Sequence, residues 1–272
     1  MTSSEHSKKG GAVRRLVTEY GPALLLVVLL LAAWQAATAV RDIQPWLLPS
    51  PSAIAGAAVD ARGLLLPHIA QTTLETLVGF AAALLVGLAL ALVIDLSNTL
   101  RRAIYPLLVV SQTIPIIAIA PLLVIWFGYG LLPKVIVVGL VCFFPIVVST
   151  ADGLRSTDPD LIALLQSMGA TRRQIFFKVR VPAALPGMFT GIKVAITYSV
   201  VGAIIGEWVG ASRGLGVFML RASNSFRTDW VFATIAVVSA LSLLLFLAVI
   251  LVERAALPWF YTKAREEVWE EM

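Results

Sequence analysis

The chain has 272 residues, 59% of them hydrophobic and only 14% charged, whereas a soluble domain carries about 25% charge. Several apolar runs reach the roughly 20 residues needed to cross a bilayer, so the composition excludes a soluble globular domain and defines an integral membrane protein. The net charge of +5 is then a loop bias toward anionic lipid rather than a nucleic-acid signature. The single cysteine, Cys142, excludes an intrachain disulfide, and two histidines, His6 and His68, argue against a His-based metal site.

Residues 1–20 carry Lys8, Lys9, Arg14 and Arg15 and predict a partly disordered cytoplasmic tail. A transmembrane body over 21–260 follows. Pro22–Ala39 is its first apolar segment. Basic residues before it and Ala37-Thr38-Ala39 at its end mimic a cleaved signal peptide, but the run is longer than a signal core, which favours a retained helix. Residues 41–70 hold Pro45, Pro49, Pro51 and Pro67 and read as an external segment with a short helix over Ser52–Val59. Segment two runs from Thr72 to Ile94. Its stripe Gly79, Ala83, Gly87, Ala91 lets another helix approach closely, and Glu75 is placed at its outer end within reach of water. Segment three, Ala103–Phe127, contains Pro106, Pro115 and Pro121, each of which removes a backbone hydrogen bond. Such interrupted helices either border a transport path or are simply kinked. Segment four is Lys134–Thr150, segment five Gly187–Val209 and segment six Trp230–Val252. Residues 261–272 form a charged cytoplasmic tail. With both termini inside, 14 Lys and Arg fall on the cytoplasmic side and 6, Lys134 among them, outside, the sign the positive-inside rule requires.

The loop over 153–186 is the longest polar, basic insert between apolar segments. Asp158 is placed to cap a helix whose first helical position is Pro159. Leu161, Leu164, Leu165 and Met168 recur at i, i+3, i+4 and i+7 and make one apolar face. Gly169 ends it. Thr171 is placed to cap a second helix that carries Arg172, Arg173, Lys178 and Arg180 and ends before Pro182. A short amphipathic helix on a loop either lies on the membrane surface or plugs a groove on a soluble partner.

The spacing Gly169, nine residues, Val179-Arg180-Val181-Pro182 resembles the cytoplasmic loop signature of binding-protein-dependent ABC importer permeases, Glu-Ala-Ala, three residues, Gly, nine residues, Ile-x-Leu-Pro. Ala163, Leu164 and Leu165 stand where Glu-Ala-Ala would be, which removes one polar contact to the ATPase. The resemblance extends to Pro182–Gly187, Gly206–Gly216, Ser111–Pro115, Ala120–Leu122, Trp126–Gly130 and Leu48–Pro51. It points to the branch that imports nitrate, sulfonates, taurine, and thiamine precursors or riboflavin. It implies an all-α membrane protein of the type I ABC importer kind. Six transmembrane helices and a cytoplasmic coupling helix between helices four and five would dimerise and pair with two cytoplasmic ABC ATPase subunits and an external substrate-binding protein in the inner membrane. Asp158, Leu161, Ala163, Leu164, Leu165, Met168 and Gly169 would then form the ATPase-docking site.

The chain contains no GxxxxGK[ST] phosphate loop and no cluster of convergent catalytic residues, so it is not expected to be an enzyme. It is not expected to bind a metal or cofactor of its own, ATP and Mg belonging to the partner. Gln112, Thr113, Pro115, Thr197, Tyr198 and Glu207 are the candidates for a translocation path. Against this, Ser and Thr hydroxyls in membrane helices mostly bond their own backbone, and Glu207 can instead hold the loop after it by accepting N–H bonds. Gly206–Ser212 is most similar to permeases for thiamine pyrimidine precursors or riboflavin. An anionic substrate would want a buried positive charge, for which only Lys193 is a candidate. A sulfonate, taurine or nitrate permease is the alternative. An ion-coupled secondary transporter would need acids at mid-membrane, whereas the acids here are placed near helix ends.

Overall fold

The computed structural model describes residues 4–41 and 43–260, with side chains from residue 21 onward. The expected tail at 261–272 lies outside the described residues. The described residues form eleven α-helices and no strand: α1 Ser4–Val40, α2 Pro51–Asp60, α3 Arg62–Leu96, α4 Asn98–Ser111, α5 Ile116–Phe127, α6 Leu131–Arg155, α7 Pro159–Ser167, α8 Arg172–Ile175, α9 Val181–Trp208, α10 Leu215–Asn224 and α11 Thr228–Ala256. Five spans are long and apolar enough to cross a membrane: 21–40 in α1, α3, α6, the 172–208 segment ending in α9, and α11. The pair α4 and α5 passes the same test only when taken together and is bent by 96° at its break, as a broken span or a re-entrant loop would be. Among the described residues five of the six spans predicted from apolar run length are therefore present as single helices, and the third is this broken pair.

The chain divides into two compact units. The first comprises residues up to Arg62 with 222–233. There Ser50 caps α2 through its hydroxyl, which accepts from Ala53 N at 3.3 Å, Thr228 Oγ1 donates to Trp46 O at 2.7 Å, and the Trp34 and Phe232 rings meet at 5.9 Å. The backbone from Ser4 onward is already helical, where the sequence suggests a tail.

The second unit holds 63–221 and the chain from Thr234. Its core is the packing of α3 and α9 on α6, around Ala83, Val138, Cys142, Ile146, Ala195 and Ala203. The small-residue stripe of α3 permits this. A Cβ on Gly87 would stand 2.8 Å from Ile146 Cγ2, and one on Gly79 would overlap Val138, so any side chain there would force α3 and α6 apart. At 35 residues, α3 is about 52 Å long, well beyond the roughly 30 Å apolar layer. It starts at Arg62, not near Thr72, because Pro67 falls within its first two turns and removes only one bond.

Two further boundaries depart from expectation. Segment three is not one kinked helix but two, broken at Gln112–Pro115 and turned by 96°. Pro115 cannot donate a hydrogen bond and restricts Ile114 before it, and together these stop α4. Conversely, Pro182 does not end the basic helix. A π turn over Phe176–Arg180 widens the helix just ahead of it, so the missing N–H and the bulk of the ring are absorbed and the chain runs on into α9.

Candidate functional site

Two constructions lie at opposite ends of α3, α6 and α9. The first is the loop between α6 and α9. Asp158 accepts from Asp160 N at 2.8 Å and Pro159 takes the first helical position of α7. Gly169, at φ +85°, closes the helix, with Ala170 N donating to Leu165 O at 3.0 Å. Leu161, Leu164 and Met168 are exposed, Met168 by 75%, as is Ala163. Leu165 is half-buried at the edge of this face. Ile162, which sequence periodicity did not single out, lines a cavity of about 530 Å³ beneath α7 with Leu154, Ile175 and Arg180. Thr171 caps α8 in a reciprocal box, Thr171 N donating to Gln174 Oε1 at 2.8 Å and Gln174 N to Thr171 Oγ1 at 3.3 Å. Arg180 ties the loop to two spans. It pairs with Asp95 at 2.7 Å and donates to Leu154 O at 2.9 Å, and the Asp95 side chain is only 6% exposed. The outcome is a rigidly capped helix with an apolar face turned to solvent.

The second construction was legible in the sequence only at Glu207, whose expected role of holding the loop after it by accepting an N–H bond is met at Gly216. Glu75, which the sequence places within reach of water, is fully buried. Lys134, counted as an outer-loop residue, is buried beside it. Lys134 Nζ lies 2.5 Å from Glu75 Oε1, which also accepts from Gln71 Nε2 at 2.6 Å. Beside the pair, Glu207 is 1% exposed. Its Oε1 accepts from Thr72 Oγ1 at 2.5 Å and its Oε2 from Gly216 N at 2.5 Å. Thr72 Oγ1 in turn accepts from Leu215 N at 2.8 Å, and Gly214 N donates to His68 Nδ1 at 2.9 Å. Glu207 thus pins the loop ahead of α10 onto α3 and α9. Gly214 is required because a Cβ there would overlap the Glu207 carboxyl, and because its φ of +137° disfavours other residues. The signal available in sequence was Gly214-Leu215-Gly216 seven residues after an intramembrane acid.

The six path candidates occupy three places. Gln112, Thr113 and Pro115 are exposed at the α4–α5 break, where Thr113 Oγ1 donates to Val110 O at 2.8 Å. Thr197 and Tyr198 line a groove of about 520 Å³ with Ser239, Ser242 and Phe246 of α11, and Thr197 Oγ1 donates to Lys193 O at 2.9 Å. Both threonine hydroxyls therefore satisfy their own helix backbone. Glu207 faces neither place and is enclosed under the loop. Among the described residues no group of three or more His, Cys, Asp or Glu is arranged to hold a metal ion.

A family model described as the binding-protein-dependent transport system inner membrane component matches residues 79–256. The chain is 42% identical over 236 residues, 86% of its length and 94% of the relative's, to the formylaminopyrimidine transport permease protein ThiX of Halalkalibacterium halodurans. It is 36% identical to the riboflavin transport system permease protein RibX of Chloroflexus aurantiacus, covering 91% of this chain and 94% of RibX. It is 32% identical to the taurine transport system permease protein TauC of Escherichia coli, covering 86% and 87%. In fold it is similar to a chain of the inward-facing MetNI methionine ABC transporter, with a TM-score of 0.63 at 22% identity over 72% of this chain and 97% of that one. The protein belongs to the binding-protein-dependent transport system inner membrane component family. It is a multi-pass, ABC importer permease subunit.

Proposed function

We propose that the chain is the membrane subunit of an importer for a pyrimidine precursor of thiamine, delivered by an external binding protein and driven by ATP hydrolysed, with Mg, on two partner ATPases. The observation that carries the substrate is the 42% identity to ThiX along almost its full length. The balance of buried charge supports a weakly charged heterocycle. Lys134 is neutralised by Glu75 and Lys193 by Glu253 at 2.9 Å, so neither offers a free cation to an anionic substrate. In this reading Leu161, Leu164 and Met168 enter a groove on the ATPase, with Asp158 and Gly169 setting the length of the plug. In this reading the termini are cytoplasmic, which the Lys and Arg bias supports, and two copies of the chain enclose the path. Closure of the ATPase dimer moves α7 as a lever, and the rigid link Arg180–Asp95 passes the displacement to α3 and α6.

The test is ATP hydrolysis in proteoliposomes holding the chain and its candidate ATPase, with binding protein empty or loaded. Hydrolysis should rise with binding protein loaded with formylaminopyrimidine. A rise only with riboflavin or taurine refutes the substrate and retains the importer. Absence of ATPase association together with uptake driven by an ion gradient refutes the importer reading altogether.

A further inference from the structure

A second pocket, of about 520 Å³, opens beside α4 and is lined by Asn98, Arg101, Arg102, Tyr105, Pro106 and Arg155. It lies where two spans end, α3 at Leu96 and α6 at Arg155. Leu96 is 82% and Leu107 67% exposed, so apolar side chains face outward beside the arginines. This pairing of exposed leucine with guanidinium belongs at the depth where acyl chains meet headgroups.

The charge in the pocket is not balanced. Arg101 pairs with Asp152 at 3.1 Å and its guanidinium lies 5.5 Å from the Tyr105 ring centre. Arg155 donates only to the neutral Asn98 Oδ1, at 2.7 Å. Arg102 has no ion-pair partner among the described residues. The other nearby acid, Asp95, is taken by Arg180. Three guanidiniums therefore face one carboxylate. Guanidinium binds phosphate through paired N–H donors, and basic pockets at the ends of spans hold anionic headgroups. We infer that the Arg101–Arg102–Arg155 pocket binds the phosphodiester of an anionic phospholipid, whose acyl chains lie along Leu100 and Leu107 of α4.

The test is a titration of the full chain in mild detergent with short-chain phosphatidylglycerol, short-chain phosphatidylcholine or inorganic phosphate, followed by tryptophan fluorescence and native mass spectrometry. Phosphatidylglycerol should bind at least tenfold more tightly than phosphatidylcholine. Arg102→Gln, at an exposed position that holds nothing else in place, should weaken it about five-fold, Arg102→Lys, which keeps the charge but loses the paired donors, should fall between Arg102→Gln and the parent, and Arg213→Gln should leave it unchanged. Equal affinity for the two lipids, or an unaltered Arg102→Gln protein, would overturn the site. Binding of inorganic phosphate as tight as that of phosphatidylglycerol would assign the pocket to free phosphate and overturn the lipid.

Discussion

Replacing Lys134 by Met tests the buried pair directly. The Lys134 side chain is 10% exposed and that of Glu75 is not exposed at all, so solvent screens little of their attraction. Removing the cation leaves Glu75 with a single donor, Gln71, and its second oxygen, Oε2, has no hydrogen-bond partner. Glu207 stands nearby as a second buried acid. Breaking a buried pair from one side costs about 3–5 kcal/mol, most of it the penalty of an uncompensated charge. For a chain of this size that lowers the unfolding midpoint by about 10 °C. The double variant Lys134→Met with Glu75→Gln removes both charges and keeps a partner for Gln71, so it should recover most of the loss. Thermal unfolding of the detergent-solubilised proteins reads both. A single variant that melts with the parent, or a double variant less stable than the single, would refute the reasoning that the pair is held by mutual charge compensation.

Leu164→Asp should weaken ATPase association by tenfold to a hundredfold, since burying such a side chain contributes roughly 1.5–3 kcal/mol. Leu164 is 56% exposed, so the unfolding midpoint should stay unchanged, and co-purification with the ATPase measures the loss. Gly214→Ala should lower the midpoint by several degrees and abolish transport, because its methyl group would displace the Glu207 carboxyl. Gly128→Ala, at φ +75° and ψ −175° but with open space around it, should cost about 1–3 kcal/mol of backbone strain. Gly87→Val should cost more than Gly128→Ala in the same assay, since its side chain would meet Ile146.

The class of protein, five of the apolar spans and the short capped helix α7 were readable from residue order alone. These depend on local properties. Apolar run length, a proline and an aspartate at a helix start, and a glycine at its end are all read within a few residues. The basic helix shows where that locality fails. Pro182 signals a stop, but a π turn placed just before it lets the helix continue. The fate of Glu75 and Lys134 was set by helix packing. They are 59 residues apart, and each reads separately as a charge at the water boundary. Packing of α3 against α6 through Gly79 and Gly87 brings them together and removes the water, which turns two apparent surface charges into one neutral buried unit. For Glu207 the loop-holding role was readable from the sequence, but its burial and its bond to Thr72 were not. A loop folds back over it, and its partners Thr72 and Gly216 are joined only once α3, α9 and that loop are in place.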